Sequence, residues 1–454
     1  MINSPELRQY LLRITQQFFE DFPHFIPATL SEGETNVETI TQCFANCLFE
    51  QMMTAIVGKK TYQGIAIPCQ CGSSARFVNY RTRKVVSLHG EANVSRAYYH
   101  CSQCHTSQTP WDEKQGLNRR IYTPRTKAHI ANVMALLPYR MGCKMLENLT
   151  GFTLQESTAE EIVAELGGKI REEEEREIKA TQAQALNLLA SKLGEEEIAP
   201  PVKPVPSHAN HPVQGKRLYI SLDGVFAHLG KEWHEVKCGI VYTARSDEDG
   251  KDALWESAYT GAREPAEAFG RRLSRLAAAW SVDSYGEVVA IADGAHVNWN
   301  LFEMHFPTAI QILDFMHASQ HLSEVADAYY GSGTDLSKAW WQKWSKELKE
   351  RGSKPVQAAI KLLNQDDAAK QAIIVREYNY FVTNAHRMDY PCYIAKGLMI
   401  GSGPIEATCK VLVSQRFKQA GMRWSDPGAE AVLAIRARVM NSDEASIQRA
   451  AIAA

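Results

Sequence analysis

The chain has 454 residues, with 50 Lys and Arg against 52 Asp and Glu, a formal net charge of -2, and 45% hydrophobic residues. That length and apolar content predict roughly two to four globular domains and exclude a chain too polar to build cores. No stretch approaches the roughly 20 apolar residues of a membrane span, and MINSPELRQYLLRITQQFF is not a charged leader followed by a long apolar run, so a cytoplasmic protein with no membrane partner is expected.

In chain order, residues 5–20 repeat apolar positions at Leu7, Leu11, Ile14 and Phe18 behind Ser4 and Pro5, the pattern of an amphipathic helix. A second helix is expected from the capping box Thr35-x-x-Glu38 to Gly58, with Cys43 and Cys47 as core thiols. From Cys69 to Cys104 the pattern changes to short alternating strands with a turn at His89-Gly90. Helical periods resume at 126–137, 140–149 and 155–170, the spacing of a helix-turn-helix. The third of these helices is rich in glutamate, so reading of DNA and plain bundle packing both fit it. REEEEREIKATQAQALNLLASKLGEEE continues as a long solvated helix, and the Pro-rich APPVKPVPSHANHPVQG at 199–215 reads as a linker. Beyond it, strands near 217–228, 232–243 and 253–259, a helix at 263–280, and strands at 286–292 and 308–313 predict a mixed α/β layout. A helical stretch from about 316 to 395 precedes the final helices. The expected organisation is therefore multidomain α+β: helices over 1–60, a basic cysteine-bearing domain over 61–120, a helical region over 121–198, a linker, and an α/β domain over 216–442.

Three constellations carry chemistry. Cys69-Gln-Cys71 and Cys101-Ser-Gln-Cys104 flank a basic hairpin, the arrangement in which four thiolates tie two knuckles of a zinc ribbon around a structural Zn²⁺. The first pair is one residue short of the usual spacing, and His100 or His105 in place of one ligand stays open. Ten cysteines without a secretory signal fit reduced thiols or metal ligands better than disulfides. Around this ribbon the near-neutral average hides a polarity. Residues 76–127 hold ten Lys or Arg (76, 81, 83, 84, 96, 114, 119, 120, 125, 127) against Glu91, Asp112 and Glu113. Arg81, Arg83, Lys84 and Arg96 are the candidates to face a phosphate backbone.

The second constellation is Asp223, set in the apolar hairpin KRLYISLDGVFAHLGKEWHEVKCGIVY, with Asp293 closing the strand of GEVVAIADGAH. A carboxylate in such a setting is neutralised, hydrogen-bonded or bound to a metal. The third is KGLMIGSGPIEATCKVLVSQRFKQAGMRW, where Gly401-Ser402-Gly403 and Pro404 start a helix with Glu406 in its first turn. Lys410, Arg416, Lys418, Arg423 and Trp424 follow and suit contact with DNA. Trp340, Trp344 and Leu348 form a core stripe, and Trp341 beside them is open to base stacking or packing.

Taken together, LYISLDGVFAHLGKEWHEVKCGIVY, IADGAHVNWNLF, ILDFMHASQHL and IGSGPIEATCKVLVSQRFKQAGMRWS resemble, in order, the motif series of DDE-type insertion-sequence transposases of the ISKra group, more distantly related to Mutator-like transposases. The resemblance runs from the cysteine ribbon to about Arg438. It implies an RNase-H-like catalytic domain interrupted by a helical insertion, with Asp223, Asp293 and Glu406 as the catalytic acids holding two Mg²⁺ or Mn²⁺ ions. It implies water attack that frees a transposon-end 3′-hydroxyl, followed by attack of that hydroxyl on target DNA. Double-stranded DNA would be the partner, at least a homodimer the active form, and a bacterial chromosome or plasmid the site of action. Asp314-Phe-Met-His317 resembles the Asp/Cys-x-x-His signature between the second and third acids. That places Asp314 and His317 beside the active site, orienting the scissile phosphate, with Asp314 also the substitute third acid; an N-capping aspartate with a core histidine is the structural alternative. Two other function classes fit parts of the pattern. A DNA-binding regulator derived from such an enzyme would keep the ribbon without the nuclease, and a carboxylate-pair glycan hydrolase would need no metal.

Overall fold

The computed structural model describes residues 29–57, 61–117, 121–194, 217–246 and 252–452, with isolated helical positions between 8 and 20. The helix expected over 5–20 lies largely outside the described residues, and the linker over 199–215 wholly so. The fold is α+β, and the chain divides into two compact units, Met1–Leu166 with Glu444–Ala454, and Gly167–Asp443.

The first unit opens with helix α1 (Leu30–Val57). Its cap is Thr29, whose hydroxyl accepts the Glu32 N–H at 3.2 Å. The capping box is thus Thr29-x-x-Glu32, and the expected cap Thr35 sits inside the helix, donating its hydroxyl to the Ser31 carbonyl at 3.0 Å. Cys43 and Cys47 are exposed on α1, not core thiols. An antiparallel sheet follows in the order β1 (Ala66–Pro68), β2 (Ser74–Ser87), β3 (Gly90–His100), β4 (Ser107–Gln108). Its alternation buries Ile67, Ala75, Ala97 and Tyr99 at one end and Val85, Ala92 and Val94 at the other, where Leu117 from the loop after the sheet joins them. Next come α2 (Pro110–Lys114), α3 (Pro124–Leu136) and α4 (Tyr139–Thr150). The Thr123 hydroxyl caps α3, and Gly151 at φ +67° ends α4.

Helix α5 (Glu156–Leu193) runs unbroken through the positions expected as a recognition helix and a separate solvated helix. Leu154 just before it and Ala159, Ile162 and Val163 in its first turns are buried, while Glu156, Glu160 and Glu161 are exposed. An acidic outer face of this kind repels phosphates, so bundle packing is the role these turns fill.

The second unit takes the rest of α5, then β5 (Arg217–Leu229), β6 (Glu232–Ser246), β7 (Asp252–Ala262), α6 (Ala266–Ala279), β8 (Glu287–Ala292), α7 (His296–His305) and β9 (Ile310–Leu313). Sheet order is β7-β6-β5-β8-β9, with β7, β6 and β5 antiparallel and β5, β8 and β9 parallel. The parallel strands read as unbroken apolar runs because both faces are covered, as for Val289 to Ala292. Helices α8 (Phe315–Tyr330), α9 (Asp335–Arg351), α10 (Ser353–Lys361), α11 (Ala368–Thr383) and α12 (Tyr390–Ala395) fill the expected insertion. There the Trp341 indole donates to the Ser319 carbonyl at 2.9 Å, which ties it to α8 as a packing residue. Helix α13 (Gly403–Thr408) passes through a π-helical stretch (Cys409–Ser414) into α14 (Gln415–Phe417), and α15 (Asp426–Met440) completes the unit. The last helix, α16 (Glu444–Ile452), packs on α3 in the first unit.

The charge run expected to be solvated is in part a buried network. Glu174 is 2% exposed and pairs with Arg171 at 2.8 Å and with Arg272, and Arg275 reaches Glu177 at 2.8 Å. Burial alone would raise the Glu174 pKa. Arg171, Arg272, Arg438 and Arg275 overcome it and hold this carboxyl well below the usual range.

Candidate functional site

In the first unit the two cysteine pairs sit on the two knuckles that join β1 to β2 and β3 to β4. Backbone bonds from Cys69 N–H to Ser73 and from Cys101 N–H to Thr106, both 2.9 Å, close the knuckles. The short first pair is accommodated by Gly72 at φ +84°, a left-handed position that brings Cys71 back toward the second knuckle. Cys69 Sγ lies 3.5 Å from Cys104 Sγ, and Cys71 Sγ lies 3.7 Å from Cys101 Sγ. Tetrahedral thiolates with bonds of about 2.3 Å stand roughly 3.8 Å apart, whereas a disulfide would bring sulfurs to about 2 Å. All four ligand atoms lie within 4.8 Å of one another. Four thiols this close cannot all ionise unaided. The Thr106 hydroxyl and N–H draw Cys104 down to about 6. Against the Ser73 N–H, the neighbouring sulfurs push Cys71 up to about 12. The donor set suits a structural metal such as zinc, closed on all four sides by protein.

The cationic face expected around this sheet is smaller than the sequence implies. Arg83 and Arg96 both turn inward onto Asp112, at 2.6 and 3.0 Å, with Asp112 2% exposed. A buried carboxylate needs such partners, so both guanidiniums are engaged in the fold instead of standing free on the cationic face. Arg81 stays exposed, its guanidinium 3.4 Å from the Tyr98 ring centroid, and Lys84 is exposed beside Glu91.

In the second unit the register of the parallel strands lines up the acids. Ser221 pairs with Ile291 and Ala292 with Leu313. Continuing these registers sets Asp223 beside Asp293, and Asp293 beside Asp314. Asp223 lies within β5, which runs on to Leu229 against β6, so this acid does not end its strand; it stands just past the end of the pairing with β8. Its Oδ1 accepts the Gly224 N–H at 2.7 Å, and the Cys409 thiol is 3.9 Å from Oδ2. Asp293 follows β8 directly, and its Oδ1 accepts from Ala295 N–H at 3.1 Å and from the Asn298 amide at 2.7 Å. Glu406 is exposed in the first turn of α13, where the Ser402 hydroxyl donates to Oε1 at 3.0 Å.

Asp314 follows β9 and is fully buried. It caps α8 by accepting the His317 N–H at 2.9 Å, and its other oxygen accepts the Ser402 N–H at 2.8 Å. The carboxyl therefore ties the start of α8 to the loop that carries Glu406, reinforced by Phe315 N–H to Ile400 at 2.9 Å. His317 is no core histidine: its side chain is 38% exposed, with Nε2 3.9 Å from Asp314 Oδ2. Ligand atoms of Asp314, His317 and Glu406 lie within 4.8 Å of one another, while Asp223, Asp293 and Glu406 do not form such a trio. Asp223 still feels the others. Burial raises its pKa against the Gly224 N–H, Asp293 and Glu406 raise it further, and His317 opposes them.

Sequence reasoning missed four neighbours of these acids. Asn298, Ser402 and Cys409 stand within the quoted motifs, so their positions were visible but their hydrogen bonds were not. Tyr380 comes from α11 with no local signal. Its ring covers Gly294 so closely that an added Cβ would lie 2.3 Å from it, which explains the glycine after Asp293. Burial and the charges of Asp293, Glu377 and Asp314 push its phenol pKa up. Of the cations placed after Glu406, Lys410, Lys418 and Arg423 are exposed. Arg416 (1% exposed) and Trp424 (8%) are buried against each other, 4.6 Å from guanidinium to ring, so they pack the unit and do not contact DNA.

No protein-family model matches the chain, and no curated protein matches it at a significant level. No helix among the described residues is long and apolar enough to cross a membrane.

Proposed function

We propose that this chain is a DDE-type DNA transposase whose second unit is an RNase-H-like nuclease and whose first unit is a zinc ribbon that helps hold DNA. The observation that carries the reading is the convergence of acids distant in sequence. Asp223 and Asp293 come from neighbouring parallel strands whose register sets them side by side, and Glu406 from a helix start after a long helical insertion, yet the thiol of Cys409, just after that helix, lies 3.9 Å from Asp223 Oδ2. Strand order β7-β6-β5-β8-β9, with the first three antiparallel and the last two parallel to β5, supports the RNase-H-like assignment.

The residues present fit a hard divalent cation. Among the described residues Asp223, Asp293, Asp314 and Glu406 have no Lys or Arg ion pair, and burial, then like charge, raises the Asp223 pKa. Mg²⁺ or Mn²⁺ held by Asp223, Asp293 and Glu406 would supply activation of an attacking oxygen and stabilisation of a leaving one. In this reading Asn298 and Ser402 fix the carboxylates of Asp293 and Glu406, and Asp314 holds the Ser402 backbone. Lys410, Lys418 and Arg423 offer exposed charge to the phosphates of the transposon end, with Arg81 and Lys84 doing the same from the ribbon.

The test is incubation of the full chain with the end DNA of its own element and Mg²⁺ or Mn²⁺, with nicks mapped to the element boundary. Asp223→Asn should lower cleavage by about 10³-fold or more, on the order of 4 kcal/mol in the barrier, while end binding persists. Cleavage by this variant at the wild-type rate overturns the assignment. Binding without cleavage by the wild type in either metal identifies a regulator instead.

A further inference from the structure

The acid cluster holds one side chain that a purely oxygen-lined Mg²⁺ site has no use for. We propose that His317 is a nitrogen ligand in this cluster, sharing a cation position with Glu406 and Asp314, and that the position therefore selects a first-row transition ion, Mn²⁺, over Mg²⁺. The inference deepens the reading above and rests on its acid cluster as a cation site, although it needs no DNA chemistry.

Three observations support it. First, the ligand atoms of Asp314, His317 and Glu406 form the one hard-donor group within 4.8 Å among the described residues. Second, His317 Nε2 stands 3.9 Å from Asp314 Oδ2. That is too long for a hydrogen bond. It falls between the roughly 3.0 Å and 4.2 Å that separate adjacent and opposite ligands of an octahedral ion with bonds of about 2.1 Å. The same carboxyl accepts the His317 backbone N–H, which sets this residue beside Asp314 in the first turn of α8. Third, Asp314 is fully buried and has no Lys or Arg partner among the described residues; its two backbone N–H donors leave lone pairs on both oxygens. A buried carboxylate with no counter-cation gains from a bound cation. Imidazole nitrogen binds Mn²⁺ and later first-row ions better than it binds Mg²⁺, which keeps oxygen ligands and water.

The test uses tag-free, zinc-loaded full-length protein with Mn²⁺ and no DNA, read by pulsed electron paramagnetic resonance for ¹⁴N coupling to the bound ion and by titration for affinity. Nitrogen coupling is expected in the wild type and lost in His317→Gln, with Mn²⁺ affinity lowered by about tenfold or more and Mg²⁺ affinity changed by less than about twofold. His317→Ala with added imidazole is the second variant, and return of the ¹⁴N signal is the expected result. Mn²⁺ bound by the wild type without nitrogen coupling, coupling that survives in His317→Gln, or no Mn²⁺ binding at millimolar concentration each overturns the proposal. Because no turnover is measured, a protein that binds Mn²⁺ through His317 yet never cleaves DNA would sink the transposase reading and leave this one standing.

Discussion

The four-cysteine sheet and the acid cluster are both constellations of metal-ligating side chains, and they are built on opposite principles. The cysteines come from two tight knuckles of one sheet and face one another at 3.5–3.7 Å, with Cys69 and Cys101 buried and Cys71 and Cys104 exposed. The acids come from β5, the ends of β8 and β9, and the start of α13; Glu406 is exposed, and among the described residues no Lys or Arg pairs with these acids. A closed soft site stabilises the fold that makes it, whereas an open cluster of like charges costs stability that a bound ion and substrate return. Removing a ligand should therefore have opposite consequences in the two units.

The largest effect is expected at the ribbon. Cys101→Ser should remove the metal and melt the sheet around it, because apparent binding energies of structural zinc reach about 10–16 kcal/mol and are folding energy. Metal analysis should fall from one zinc per chain to none, and hydrogen exchange should rise across β2 and β3. A variant that keeps its metal, or loses it with the sheet still protected, would make the two sites alike and break the contrast.

A second experiment sharpens the contrast inside the second unit, where Glu174 is an acid of the compensated kind. Glu174→Gln leaves several buried guanidiniums short of a partner and should cost about 3–5 kcal/mol. Asp223→Asn should leave melting unchanged or raise it. The signs with pH also differ. Glu174 is depressed in the folded state, so its contribution is present above its ordinary value of 4.5 and is lost as pH falls below that. Asp223 is raised from 3.8, so the folded state loses stability as pH rises through its elevated pKa. Thermal melts from pH 3 to pH 7 separate the two: the gap between wild type and Glu174→Gln should be constant above pH 4.5 and shrink as pH falls below it, whereas Asp223→Asn should gain on wild type as pH rises above 3.8. A destabilised Asp223→Asn would show that this acid is structural.

The same difference explains what the sequence made legible. Cysteine spacing is local, so both knuckles could be placed from Cys69, Cys71, Cys101 and Cys104 alone; only the role of Gly72 needed the fold. Alternating and unbroken apolar runs located all five strands of the second sheet, and Asp293 was visible as a strand end. The burial of Asp314 between α8 and the Ser402 loop was not visible, because it depends on hydrogen bonds between segments about 90 residues apart in sequence. Tyr380 was hidden for the same reason. Charge was misread most often. Arg83, Arg96 and Arg416 look like surface cations in the chain, but whether an arginine faces solvent is decided by whether a buried acid or ring stands opposite, as Asp112 and Trp424 do. Glu174 was misread in the opposite direction, as one charge of a solvated run.

The smallest expected effect falls on these strand cations and gives the finest test of the ribbon as a DNA-binding face. Arg83→Ala leaves Asp112 with Arg96 as its remaining partner, and should lower stability by about 1–3 kcal/mol without altering the salt dependence of DNA binding. Arg81→Ala and Lys84→Ala remove exposed charge. Each should leave melting unchanged and reduce the slope of log affinity against log salt by roughly 0.9 for each phosphate no longer neutralised. Arg81 and Arg83 lie two residues apart on β2, so a difference between them cannot come from general basicity of the strand. If Arg83→Ala lowers the salt slope as much as Arg81→Ala does, its guanidinium leaves Asp112 when DNA arrives, and the buried ion pair is a latch on the DNA-binding face.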